Sequence, residues 1–187
     1  MTLRALLFAM VISGAIVGCT RRSAVPVDLA DLRAEDGPAH ESWDMDMLVS
    51  EDGRPRFRLR SAHMAFYDRK DSTYMVLDGE AGSRVTGLLY DAARDTAAWF
   101  EADRMTWFED ARRMEARGAV VVRAANGRVL YSEYLEWLES QRKVTTAGFA
   151  RITLEDGHLE GYGLTARENL EDVRIARVSG NVTVIDE

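Results

Sequence analysis

Ser61-Ala62-His63-Met64-Ala65-Phe66-Tyr67 aligns with Ala102-Asp103-Arg104-Met105-Thr106-Trp107-Phe108, and again with Ser132-Glu133-Tyr134-Leu135-Glu136-Trp137-Leu138. The fourth place holds Met64, Met105 and Leu135, and the sixth holds Phe66, Trp107 and Trp137. Two places apart is the same-face spacing of a β-strand. A fainter copy begins at Gly161-Tyr162-Gly163-Leu164. Each copy is followed, 13 to 16 residues after its Met or Leu, by a glycine: Gly79, Gly118, Gly148 and Gly180. The unit reads as strand, turn, strand, glycine, strand. A unit of that length cannot bury a face alone, so neighbouring units must stack to complete a core.

Working outward, turn signals recur at Asp52-Gly53, Asp78-Gly79, Asn126-Gly127 and Asp156-Gly157. Arg56-Phe57-Arg58-Leu59-Arg60 sets two apolar side chains against three charges, and Val178 to Val184 also alternates. Short period-two segments between glycine turns predict an all-β, antiparallel architecture of stacked hairpins, rolled or folded into two facing sheets. Residues 95–117 fit two strands. At ~8–12 residues per strand and turn, the body should hold on the order of fifteen strands. Its inward set is Phe57, Leu59, Met64, Phe66, Met75, Leu77, Met105, Trp107, Val120, Val122, Leu135, Trp137, Ile152, Leu154, Val182 and Val184. From pattern alone, an ordinary sandwich core is the plainer reading of that set. Gly161 and Gly163 are expected to permit a bulge or a close backbone approach.

Upstream of the body the texture differs. Arg4 precedes an apolar run from Ala5 to Val17 that ends at Gly18-Cys19, with Arg21-Arg22 beyond. A basic start, a short apolar stretch and a small residue describe a secretory signal peptide. Cys19 is the only cysteine, so no intramolecular disulfide is possible. Ile16-Val17-Gly18-Cys19 resembles a bacterial lipobox, which implies cleavage before Cys19 and acylation of its thiol; the alternative is an uncleaved anchor helix. The expected organisation is a signal peptide over 1–18, a lipid-anchored tether over 19–42 containing Pro26 and Pro38, and a β-domain over 43–187.

The net charge of −7 argues against nucleic acid, whose phosphates require a surplus of Lys and Arg. His40, His63 and His158 lie far apart with no second cysteine, so no metal site is expected. Gly161-Tyr162-Gly163 lacks the strand-to-helix setting of a dinucleotide loop. No catalytic constellation and no cofactor are expected. Arg56, Arg58 and Arg60 read as a solvated strand face, and Asp68, Asp71 and Asp78 as turn caps.

From Trp43 to Val184 the order and spacing of motifs resemble those of the LptC family of lipopolysaccharide-transport proteins. The resemblance is carried by Ser50-Glu51-Asp52-Gly53-Arg54, Phe57-Arg58-Leu59-Arg60-Ser61, Asp71 to Gly79, Gly118-Ala119-Val120-Val121-Val122 through Leu135-Glu136-Trp137, Asp156 to Ala166, and Val178-Ser179-Gly180-Asn181-Val182. It implies an open-sided β-jellyroll at the periplasmic face of the inner membrane. It implies a non-enzymatic adaptor that takes lipopolysaccharide from an LptBFG-type ATP-driven transporter and passes it to LptA. The apolar groove would be Phe57, Leu59, Met64, Phe66, Met75, Leu77, Met105, Trp107, Leu135 and Trp137. The edge towards LptA would be Val178, Gly180, Val182 and Val184. Two other readings stay open: a sealed-sandwich scaffold lipoprotein that touches no lipid, and a periplasmic hydrolase using carboxylates.

Overall fold

Asp52 and Gly53 take positive φ, 50° and 72°. Both central residues of a two-residue type I′ turn do so, and its twist matches the strands it joins. The turn links β1 (His40–Glu51) to β2 (Arg54–Arg69). The structure, a computed structural model, describes residues 37–179. Cys19, Gly180, Val182 and Val184 lie outside the described residues. Then follow β3 (Ser72–Asp78), β4 (Val85–Tyr90), β5 (Thr96–Ala102), β6 (Arg104–Phe108), β7 (Arg113–Ala124) and β8 (Val129–Leu138). A single 3-10 turn (Glu139–Gln141) leads to β9 (Lys143–Leu154), β10 (Gly157–Arg167) and β11 (Arg174–Val178). The fold is all-β, antiparallel and jellyroll-like, with eleven strands in one sheet among the described residues. That is fewer than the fifteen expected, because β1, β7 and β9 run 12 residues and β2 runs 16.

The topology explains that length. β2 gives one edge to β1 and shares the other: Phe57 to Arg60 pair with β4, and His63 to Arg69 pair with β3. β7 is shared likewise, between β6 at Arg113 to Arg117 and β5 at Val121 to Ala124. Two bridges, β3–β6 and β4–β5, therefore join β2 to β7 side by side. Beyond β7 the order is β8, β9, β10, β11.

A crease runs between the bridges. In a flat strand inward residues step by two. Here the step becomes three from Met45 to Ser42, Ser61 to Met64, Ser132 to Leu135 and Gly161 to Leu164, and four from Ala116 to Val120 and Thr146 to Ala150. Register shifts accompany it in β7, β8 and β10. Gly118, Ala119 and Gly163 take positive φ there. The backbone is stitched along the line by Gly79 N–H to Asp103 O (3.2 Å) and Asp103 N–H to Gly118 O (3.1 Å). Arg84 Nη2 donates to the carbonyls of Gly118 and Ala119. Gly79, Gly118 and Gly148, which punctuate the first three repeats, thus lie along the fold line, and these repeats climb from the crease and return to it. Asp78-Gly79 makes no hairpin turn; it ends β3 where the chain crosses the crease to β4. Asp78 caps nothing and instead accepts from Arg104 Nε at 2.5 Å.

Two leaves result. Leaf A holds β3, β6 and the adjoining halves of β2, β7, β8, β9 and β10; leaf B holds β4, β5 and the other halves. Phe57 in leaf B and Trp137 in leaf A stand four strand positions apart, which would be about 19 Å in a flat sheet. Their ring centroids are 5.4 Å apart. The sheet is folded back on itself, with the repeat aromatics inside.

One glycine makes a local prediction. A Cβ on Gly161 would lie 2.1 Å from the Arg177 carbonyl oxygen, a backbone atom that cannot rotate away. Gly161→Ala should push β11 off β10. Because β11 buries little, the melting temperature should hardly move. Hydrogen exchange at Arg174 to Val178 should accelerate, and unchanged protection there would show that β11 tolerates the added methyl.

Candidate functional site

The interior between the leaves is the candidate site. Phe57, Leu59, Leu77 and Met105 have no exposure, and Trp107, Leu135 and Trp137 are buried. Met64 and Met75 are half-buried and pack against that core, and Phe66 is half-buried beside them. Phe57, Trp107 and Trp137 form one ring cluster, with centroids 5.0, 5.4 and 6.1 Å apart. The six repeat residues thus share one face with Phe57, Leu59, Met75 and Leu77. Met45, Met47 and Val49 of β1 extend the apolar face to the edge strand, and sequence reading missed them. Methionine suits such a margin because its thioether chain adapts to varied shapes.

One apolar pocket between the leaves has about 40 Å³ of free space, lined by Leu89, Ala98, Met114, Val122, Trp137 and Val144 among others. That is close to the ~30 Å³ share of one water molecule in the liquid. An acyl chain enters only if the leaves part.

Two buried carboxylates hold the leaves at their margins. Glu139, 5% exposed, receives Arg112 Nε at 3.0 Å and lies 3.5 Å from Arg56 Nε. Arg112 also donates to Glu51 at 2.8 Å. Arg56 and Glu51 belong to leaf B, Arg112 and Glu139 to leaf A, so this clasp crosses the interior. The Arg112 guanidinium holds the Glu51 carboxyl below the usual carboxylate range. Glu168, 4% exposed, accepts from Trp137 Nε1 at 3.1 Å and from Arg142 Nε at 2.6 Å. It ties the ring cluster to the β10–β11 loop. That loop reaches leaf B through Asn126 Nδ2 to Asn169 O and Arg128 Nη1 to Leu170 O.

The three arginines expected on one solvated face separate. Arg58 and Arg60 are exposed and share Asp46, whose carboxyl the Arg58 hydrogen bonds hold below its usual range. Arg56, 15% exposed, turns into the clasp. No signal within ten residues of either buried glutamate announces it, since its partners lie 26 to 31 residues away for Glu168 and 27 for the Arg112 contact of Glu139.

Both ends of the sheet lack a second partner among the described residues. Among the described residues β1 pairs only with β2, and β11 only with β10. On β1 Trp43 and Leu48 are more than half exposed, and on β11 Val178 is 57% exposed. Among the described residues no helix is long and apolar enough to cross a membrane, and no cluster of His, Cys, Asp or Glu could hold a metal ion. No family model and no curated protein matches the chain.

Proposed function

We propose that the protein is a non-enzymatic lipopolysaccharide-transport adaptor of the LptC type. It receives the lipid from an ATP-driven transporter at the inner membrane and passes it to LptA across a shared sheet edge. One observation supports this reading: an apolar interior runs between two leaves from β1 to β11, each of which has one free edge among the described residues. Burying acyl chains there supplies about 0.8 kcal/mol per CH₂, and the task requires no catalytic group. Unpaired edges are a liability that most proteins cover; in a relay they are the joint, because an incoming strand completes the ladder. Acylation of Cys19 would hold the domain at the periplasmic face of the membrane.

The photo-crosslinking amino acid benzoylphenylalanine tests the reading. Placed at Phe66, on the inner margin, it should capture purified lipopolysaccharide. At Arg58, on the outer face, it should not. Equal capture at both positions would remove the groove. Capture at neither would favour the scaffold reading, which the small free volume between the leaves supports.

A further inference from the structure

A second feature lies on the outside of leaf A, away from the interior. Lys143 in β9 stands directly opposite Arg167 in β10, and Arg174 in β11 lies one strand further, opposite Thr165. Arg142 immediately precedes Lys143. These four cations line one depression of about 250 Å³, together with Thr165 and Asp172. Like charges directly opposite in a ladder repel, and sheets ordinarily avoid them. The chain as a whole is acidic, at −7, so the local excess is not a by-product of composition.

Compensation within the protein is incomplete. Arg142 gives Nε to Glu168 at 2.6 Å, and Arg167 Nε is ion-paired with Asp172 at 2.6 Å. Among the described residues Lys143 and Arg174 have no carboxylate partner. The terminal nitrogens of Arg142 and Arg167 make no side-chain hydrogen bond among the described residues. Thr165 Oγ1 lies 3.3 Å from Thr145 Oγ1 at the floor. Three guanidinium groups, a flexible ammonium and a hydroxyl around one concavity suit a multiply charged oxyanion, because several cations can share its charge. Arginine engages phosphate oxygens bidentately, and lysine adds a mobile point charge.

We propose that this depression binds a phosphate group, carried by a soluble phosphorylated ligand or by a phospholipid headgroup. The bound phosphate replaces the missing counter-charge and relieves the Lys143–Arg167 repulsion. The site does not rest on the transport reading and stands or falls separately from it.

The test uses the full chain and the double variant Lys143→Gln, Arg174→Gln. Pyrophosphate is titrated by calorimetry at constant ionic strength, with chloride as the control salt. Vesicles of phosphatidylglycerol and of phosphatidylcholine form the second arm. Losing two charge-assisted hydrogen bonds should weaken binding by about tenfold or more. Saturable pyrophosphate binding that the variant loses supports a soluble ligand. Binding confined to phosphatidylglycerol vesicles and lost in the variant supports a lipid source. Without phosphate, Lys143→Gln should melt no lower than the parent, because it removes a repulsion. A lower melting temperature would assign Lys143 a purely structural role and overturn the proposal. So would equal affinity of parent and variant, no binding in either arm, or an equal response to chloride.

Discussion

Replacing Trp137 by alanine should cost about 5 kcal/mol, the largest loss expected from any single side chain. Truncating a buried aromatic costs about 3–5 kcal/mol by itself. Here the ring touches both Phe57 and Trp107, and its Nε1–H is the buried partner of Glu168. Removing that donor leaves a carboxylate oxygen, 4% exposed, without it, which adds about 1–3 kcal/mol. Trp137→Phe separates the two contributions. It keeps most of the ring contacts and loses the donor, so about 1–2 kcal/mol should remain. Trp99 is a control of the same residue type: it lies on the outer face, 46% exposed, and Trp99→Ala should cost well under 1 kcal/mol. Denaturant midpoints at equal slope read all three. Similar losses at Trp137 and Trp99 would mean that the repeat aromatics do not form the core.

The Glu139 clasp gives the second large effect. Glu139→Ala removes the shared partner of Arg56 and Arg112 and leaves Arg56, at 15% exposed, with only the longer Glu51 contact at 3.8 Å. Breaking a buried pair by removing one partner costs about 3–5 kcal/mol. Arg112 is 46% exposed, and solvent screens its share. A loss of about 3 kcal/mol is therefore expected, or roughly 10 °C in melting temperature for a domain of this size. Acid should weaken the same clasp. The Glu51 carboxyl has its pKa depressed in the fold by Arg112. Its contribution is complete above its unfolded pKa, with the ordinary value at 4.5, and is lost as pH falls through the depressed value. Arg112→Gln should flatten that acid limb of the stability profile. An unaltered limb would place the acid sensitivity elsewhere.

Fold class and core were legible because they rest on local repetition. Fourth- and sixth-place apolar residues recur three times, and the same Met64, Phe66, Met105, Trp107, Leu135 and Trp137 sit inside. The glycines were legible as markers but not as a line, since nothing in Gly79, Gly118 and Gly148 taken singly says that their strands lie side by side. Strand number was overestimated because it rested on ~8–12 residues per strand and turn, whereas β2 runs 16 residues and β7 runs 12, each through the crease without ending. The ion clasp was illegible for a different reason. Arg112 meets Glu51 across 61 residues of chain, and in a sequence with 31 acidic residues no pattern marks which glutamate is enclosed. Likewise the opposition of Lys143 and Arg167 exists only once the register of β9 and β10 is fixed.

The crease has a mechanical consequence. β2, β7, β8, β9 and β10 each belong to both leaves, and the inter-strand ladders run within a leaf or along the fold line. Parting the leaves therefore breaks side-chain contacts and the clasps but no rung of any ladder. The breathing of the interior is invisible to the backbone: amide hydrogens of β7 to β10 should stay protected while the indoles of Trp107 and Trp137 become reachable by a small quencher such as acrylamide. If the leaves part in this way, amide exchange should report a rigid molecule while quenching reports an open one.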